Sequence, residues 1–206
     1  MMSERWIRMI LLILYVVGAV GMLMPSTRTW FVQLSAINLA ISFVALIASR
    51  KAKPLSFLVF LSIAFVIGIG VELIGVHTSY LFGSYYYGNS LGWKWYGVPL
   101  IIGLNWGILT VTSAAIIHRF QFNKHIEAIL SAILMVLFDY ILEPVAIKLD
   151  YWNWTDGQIP VYNFICWLGV SYVLQWIYQR MKLSELNKVA ESLFLMMFIF
   201  FTLLTL

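Results

Sequence analysis

Charge is what this chain has least of. Asp, Glu, Lys and Arg make up 11% of its 206 residues, where a soluble domain carries about 25%. That leaves no room for a sizeable soluble domain. Cysteine is nearly absent. Cys166 stands alone, so an internal disulfide and a CxxC site are both excluded, and it reads as a small apolar residue inside a span. Histidine is rare too. His77 falls in an outward loop of the expected topology and His118 and His125 on the opposite side, so the three cannot share a metal. There is no Walker motif, no nucleophile elbow and no multi-histidine oxygenase set. GIGVELIG at 68–75 ends an apolar helix with no strand before it, so it is no dinucleotide fingerprint. No metal, no cofactor and no nucleic acid are expected.

What is present is apolar surface. The chain is 62% hydrophobic, with a mean hydropathy of +0.90. Runs of about 20 apolar residues cross a bilayer as helices. Seven such runs lie at about 6–24, 30–48, 55–76, 98–117, 125–147, 160–178 and 187–206. The expected fold is therefore all-α, a polytopic transmembrane helix bundle forming one integral membrane domain over 1–206. The first run follows Arg5 and Arg8 as a signal peptide would. It is long and lacks a small-x-small cleavage site, so it reads as a retained anchor.

The few basic residues report orientation. Arg5, Arg8, Arg50, Lys51, Lys53, Arg119, Lys124, Arg180, Lys182 and Lys188 fall on one side of this map, and only Arg28, Lys94 and Lys148 on the other. The positive-inside rule then puts the N-terminus in the cytoplasm and the C-terminus outside the plasma membrane. The loops at 77–97 and 148–159 face outward.

Four spans bring polar residues to one depth near that outer face. They are Glu72 in span three, Asn105 in span four, Asp139 and Glu143 in span five, and Asn163 at the start of span six. The i, i+4 spacing stacks Asp139 and Glu143 on one helix face. Pro144 frees the carbonyl of Tyr140 at the same level. A single asparagine often does no more than bond two helices together. Three carboxyls with no Lys or Arg inside those four spans are a different matter, because such groups face a cavity or a partner. Close carboxylates in low dielectric cannot all ionise, so one is expected to hold a proton, as a general acid must.

The outer loops are dense in aromatics: YLFGSYYY at 80–87, WKWY at 93–96 and YWNW at 151–154. An interfacial aromatic belt accounts for about half of these. The rest fit a repeat. The first loop ends in GVP and then LNW, the second in IP and then Asn163 and Trp167, and each follows a glutamate near the end of an outgoing span. Spans 3–4 and 5–6 thus read as a parallel pseudo-repeat enclosing an aromatic-walled, acid-bearing chamber.

Such a chamber suits protonation of an alkene, with aromatic faces stabilising the cation and water or a neighbouring double bond capturing it. ELIGVHTSYLFGSYYY, LGWKWYGVPLIIGLNW, DYILEPVAIKLDYWNW and IPVYNFICW, over about 68–170, resemble the integral-membrane carotenoid biosynthesis family. That family includes the carotenoid 1,2-hydratases acting on gamma-carotene, lycopene and bisanhydrobacterioruberin. The resemblance implies cofactor-free water addition across the terminal double bond of a ψ end group. It implies a carotenoid polyene substrate in a lipid environment, with other carotenoid-pathway enzymes as candidate partners.

The chemistry of the residues assigns the roles. Glu143 is the preferred acid, and Asp139 or Glu72 positions or deprotonates the water. Asn105 and Asn163 hold that water or a carboxyl group. Tyr85, Tyr87, Trp106, Trp152 and Trp154 line the channel. The alternatives are a lycopene-cyclase-like isomerase, a non-catalytic carotenoid or lipid carrier, and a proton-coupled transporter. The last needs a polar path to both faces. The cytoplasmic halves of spans three to six offer it little beyond Ser62, Thr110, Thr112, Ser113, Ser131 and Ser171.

The charge asymmetry makes a direct topological prediction. Reporter fusions after residues 53, 122 and 184 should read cytoplasmic, and fusions after 90 and 155 external. A cytoplasmic reporter signal at 90 reverses the orientation.

Overall fold

The computed structural model describes residues 3–206. Among them are eight helices: α1 (Glu4–Leu23), α2 (Arg28–Gln33), α3 (Ser35–Ser49), α4 (Pro54–Thr78), α5 (Leu100–His118), α6 (Lys124–Lys148), α7 (Val161–Arg180) and α8 (Lys188–Thr205). Five of them, α1, α4, α5, α6 and α8, are long and apolar enough to cross a membrane. Helix α7 has 20 residues but spends part of its length on Asn163, Gln175 and Gln179. Many large apolar side chains, among them Trp6, Leu55, Val66 and Ile199, are exposed on the outside of the bundle. A soluble monomer rarely leaves so much apolar surface in water, whereas a lipid-facing one requires it.

One expected span is not a single helix. The run at 30–48 breaks at Leu34, whose N–H bonds to Phe31 O at 3.1 Å, a three-residue closure that tightens the turn. The cause lies at the α1–α2 corner. Arg28 Nε donates to Met22 O at 2.9 Å and Thr27 Oγ1 to Gly21 O at 2.8 Å. The Phe31 ring packs where a side chain on Gly21 would stand. These contacts fold α2 back against the end of α1, and α3 makes the return with 15 residues.

The ends of the helices sort into two faces. Glu4 pairs with Lys51, Arg50 with Glu185 at 3.4 Å, His118 with Glu127 at 2.9 Å and Arg119 with Glu191 at 3.0 Å. These pairs gather the basic loops at one end of the bundle. At the opposite end Lys148 Nζ donates to Leu204 O at 3.2 Å, and Ser35 Oγ lies 2.6 Å from Tyr151 Oη. The start of α1 and the end of α8 therefore lie at opposite faces, as an odd number of crossings requires. The basic loops are joined by one face and the aromatic loops by the other.

The aromatic loops form two small antiparallel ribbons. β1 (Tyr85–Tyr87) pairs with β4 (Trp152–Trp154), and β2 (Lys94–Trp95) pairs with β3 (Val98–Pro99). The first ribbon joins the two hairpins α4–α5 and α6–α7. Its register places Tyr86 opposite Asn153, with Tyr85 opposite Trp154 and Tyr87 opposite Trp152. That pairing is symmetric about its centre. The same symmetry recurs deeper, where Trp106 and Trp167, each the seventh residue after a loop-ending proline, stack at 4.1 Å and 21°.

The hairpins are thus related by a pseudo-two-fold axis along the bundle, which is the parallel repeat expected from the sequence. The spacings match only loosely because the loops differ. Tyr85 follows its glutamate by 13 residues and Trp152 by 9, and the β2–β3 hairpin is an insertion in the first loop alone.

Glycines set how closely α4 and α5 approach. An ideal Cβ on Gly103 would stand 2.6 Å from the Phe65 ring, and one on Gly107 3.3 Å from Leu61. The GxxxG spacing is therefore the α4–α5 contact itself. Gly103→Val should overpack it and cost about 1–3 kcal/mol, read as a lower thermal midpoint of the purified protein in micelles. The same change at Gly169, whose Cβ would meet nothing, should leave the midpoint within a degree or two.

Candidate functional site: a buried carboxyl centre

All three intramembrane carboxyls converge under the β1–β4 ribbon. Glu72 is 4% exposed, Glu143 1% and Asp139 0%. With no bulk water or lipid donor at that depth, most of their hydrogen bonds must come from the protein.

For Glu72 the donors come from the first loop and from α5. The hydroxyls of Tyr85 and Tyr87 donate to Oε2 at 2.5 and 2.8 Å. Trp106 Nε1 donates to Oε1 at 3.1 Å. Strand alternation makes the pairing possible, since Tyr85 and Tyr87 point inward and Tyr86 outward. Burial, and then the neighbouring Glu72 carboxylate, push both phenols well above their ordinary value, so both remain donors.

Glu143 repeats the pattern across the pseudo-axis. Trp152 Nε1 and Trp154 Nε1 donate to its Oε2 at 3.0 and 2.9 Å. Its other oxygen, Oε1, accepts from Asn163 Nδ2 at 3.1 Å. That amide also donates to Asp139 Oδ2 at 3.0 Å, so one NH2 group bridges the two carboxyls of α6. The α6 helix runs through Pro144 to Lys148, which keeps the bridged pair on one face.

The aromatics behave differently from the expectation in one respect. Tyr85, Tyr87, Trp106, Trp152 and Trp154 were expected to wall the chamber with their rings. They do line it, but each also turns its single polar atom onto a glutamate.

The chamber between the two glutamates is small, with a volume of about 30 Å³, and Asn105, Asn163 and Trp167 border it too. A water needs roughly 10–15 Å³ of such space and two to four polar partners, so the chamber has room for about two. Asp139 is not among its lining residues and touches it only through Asn163.

Next to it lies an apolar cavity of about 390 Å³ between α1, α2, α3, α5, α6 and α8. Ile102, Asn105 and Trp152 line both spaces. Val17, Leu34, Ile37 and Ile41 line the larger cavity and are also exposed on the outer surface of the bundle. It therefore opens sideways, between α1 and α2–α3.

All ten residues selected from the sequence are brought to this centre. Asn105 is the least engaged: it is half-buried in the wall shared by the two cavities. Three participants were not selected. Trp167 stacks on Trp106, and Phe82 and Ile102 complete the lining. Trp167 was visible as part of the repeat, whereas an isolated Phe or Ile in an apolar chain carries no signal. His77 stays outside, with Nε2 2.9 Å from Tyr96 O.

The bundle and its buried centre define an integral membrane protein with a protein-solvated carboxyl cluster at one face and a lipid-accessible apolar cavity beside it. A profile of the family described as carotenoid biosynthesis protein matches residues 30–206, from within α2 to the end of α8. The chain belongs to that family and has its role in carotenoid biosynthesis. No curated protein and no solved structure matches it.

Asn163 is the most connected donor of the centre. Asn163→Leu strips an amide from two buried carboxyls and should destabilise the protein by about 1–3 kcal/mol or more, read from thermal unfolding. Trp167→Phe keeps the stack and should cost less.

Proposed function

We propose that this protein is a carotenoid 1,2-hydratase, adding water to the terminal double bond of an acyclic ψ end such as that of lycopene or gamma-carotene. One observation carries the reading. A polar chamber with room for a water, bounded by two glutamates, shares a wall with an apolar cavity that opens to lipid. The apolar cavity, about 390 Å³, has more than ten times the volume of the polar chamber, about 30 Å³. That suits one end of a polyene, with the remainder in the bilayer.

Glu143 donates its proton to the alkene carbon one position in from the end. The cation forms on the tertiary terminal carbon. Tyr and Trp faces in the chamber stabilise it electrostatically. Water held in the chamber attacks that carbon, and Glu72 accepts the proton the water releases. Asp139 acts through Asn163, holding Glu143 in place beside a second carboxyl. The product is a tertiary alcohol, and the proton given up by Glu143 is returned once Glu72 passes its own across the chamber.

A lycopene-cyclase-like isomerase uses the same first step but must exclude water from the cation. The space between Glu72 and Glu143 favours hydration over that reading. A carrier needs the aromatics and the apolar cavity but not three buried carboxyls. The positive-inside bias favours a plasma-membrane location with the basic face in the cytoplasm.

Expression in a lycopene-producing bacterium separates these readings by pigment mass. Hydration adds one or two waters, isomerisation changes the spectrum at constant mass, and a carrier changes neither. In heavy-oxygen water, without O₂ and with a chelator, isolated membranes should place the label in the new hydroxyl. Glu143→Gln should lower turnover by about 10²–10⁴-fold while the folded protein still binds pigment. Oxygen derived from O₂, or full turnover by the variant, overturns the assignment.

A further inference from the structure

The carboxyl centre is the end of a longer polar feature. Glu127, Ser131, Met135, Asp139 and Glu143 recur every fourth residue along α6, and all are buried. Facing them on α7, Asn163, Trp167, Ser171, Gln175 and Gln179 recur with the same spacing, and all are buried too. The two stripes meet. Asn163 bonds to Asp139 at the aromatic end. Halfway down, Gln175 Nε2 lies 3.3 Å from Met135 Sδ, 2.9 Å from Ser113 Oγ and 3.0 Å from Thr110 O.

This seam is also where the protein leaves polar atoms without partners. Six buried side-chain atoms have none among the described residues, and five lie here: Ser131 Oγ, Asp139 Oδ1, Ser171 Oγ, Gln175 Oε1 and Gln179 Nε2. The sixth, on Asn38, belongs to a residue bordering the apolar cavity. A buried polar atom left unpaired costs about 1–3 kcal/mol, and native proteins meet that cost with buried water. Five such atoms along one helix interface are where buried water would be bound.

The first hairpin provides an internal control. At the positions of α4 that correspond to Ser131, Met135 and Asp139, counting from the glutamates, it has Phe60, Ala64 and Gly68. There the α4 side is apolar and filled: Phe60 and Ala64 are fully buried, Trp106 packs on Gly68, and the α5 hydroxyls of Thr110, Thr112 and Ser113 are satisfied by backbone carbonyls of their own helix. The polar stripe is therefore a property of the second hairpin and not of the repeat.

We propose that α6 and α7 hold a file of buried waters running from the basic face to Asp139, and that it supplies water to the carboxyl centre. Its mouth lies at the His118–Glu127 pair, where His118 is partly exposed, and at Gln179, whose Oε1 accepts from Ser184 in the adjoining loop at 2.9 Å. Four residues of helix rise about 6 Å. One water bonded at both ends at about 2.8 Å spans that interval, so each step of the stripe needs a single water. The supply role rests on the proposed hydration, which consumes one water per turnover. The proton that Glu143 gives to the alkene is matched by the one the attacking water loses to Glu72, so the file need carry water and no net charge. The existence of the file does not depend on that reading.

The test uses the full chain in micelles without substrate, so its failure is separable from failure of the hydratase assignment. Hydroxyl-radical footprinting labels side chains that touch bound water even when they are buried. Met135 and Met197 are equally buried, but Met197 borders the apolar cavity. Met135 should be oxidised at least tenfold faster than Met197, and Gln175→Leu should reduce that rate several-fold. The double variant Ser131→Ala/Ser171→Ala removes only hydroxyls that have no protein partner, so it keeps every side-chain hydrogen bond between the helices. In a hydrated seam its thermal midpoint falls by about 2–4 °C, because ordered waters lose their anchors. Oxidation of Met135 no faster than Met197 overturns the proposal, as does a raised midpoint in the double variant, the sign expected when unpaired hydroxyls leave a dry interface.

Discussion

Three carboxyl groups lie where the bilayer can offer no water, and the architecture of the outer half follows from solvating them. A buried polar group without partners costs several kcal/mol in such a medium, so every carboxyl oxygen but Asp139 Oδ1 takes a donor from the protein. A helix cannot give its own N–H groups, which are already used. The donors must come from side chains of other elements: Tyr85 and Tyr87 for Glu72, Trp152 and Trp154 for Glu143. Those residues are two apart in sequence because a strand returns to the same face every second residue. That is why short strands appear at the top of an otherwise helical bundle. Their pairing into one ribbon also fixes the distance between the two hairpins and hence between the two glutamates.

Much of this was legible in the sequence. The helices are long apolar runs, and the basic residues that mark one face are so few that their asymmetry is plain. The carboxyls stood out because the other charged residues in the spans, such as Arg8, Glu127 and Glu191, sit within a turn or so of a span's end at the basic face. The pseudo-repeat was visible as glutamate, aromatic loop, proline and tryptophan in the same order twice. Two things were hidden. The break at Leu34 is set by Arg28 and Phe31 folding back on the end of α1, a tertiary contact inside a run that reads as continuous. The polarity of the α6–α7 seam was also missed. Gln175 and Gln179 are ordinary letters in a span with weak apolar periodicity, and only the packing of α7 on α6 aligns them with Ser131 and Asp139.

The aromatic residues illustrate why composition alone misjudges them. A ring is apolar and a hydroxyl or indole N–H is not, so Tyr and Trp can face an apolar space and solvate a charge at once. Phenylalanine at those positions would keep the walls and strand the acids. The outer aromatics Trp93, Tyr96 and Tyr80 are instead exposed and match the interfacial belt. On the ribbon itself alternation, and not residue type, separates the inward Tyr85 and Tyr87 from the exposed Tyr86.

The departures from two-fold symmetry locate the chemistry more sharply than the symmetry does. Everything the hairpins share, the two glutamates, their paired donors and the Trp106–Trp167 stack, holds the centre together. The second hairpin alone has Asp139 where the first has Gly68, and Asn163 where the first has Ile102. Gly68 lets Trp106 close against α4, and that half is sealed. Asp139 and Asn163 open the other half to a second carboxyl and to the polar seam behind it. Two equal glutamates in identical surroundings would share any proton equally and could not be acid and base in one direction. In the proposed hydration, the inequality of their surroundings is what would let one give a proton while the other receives it.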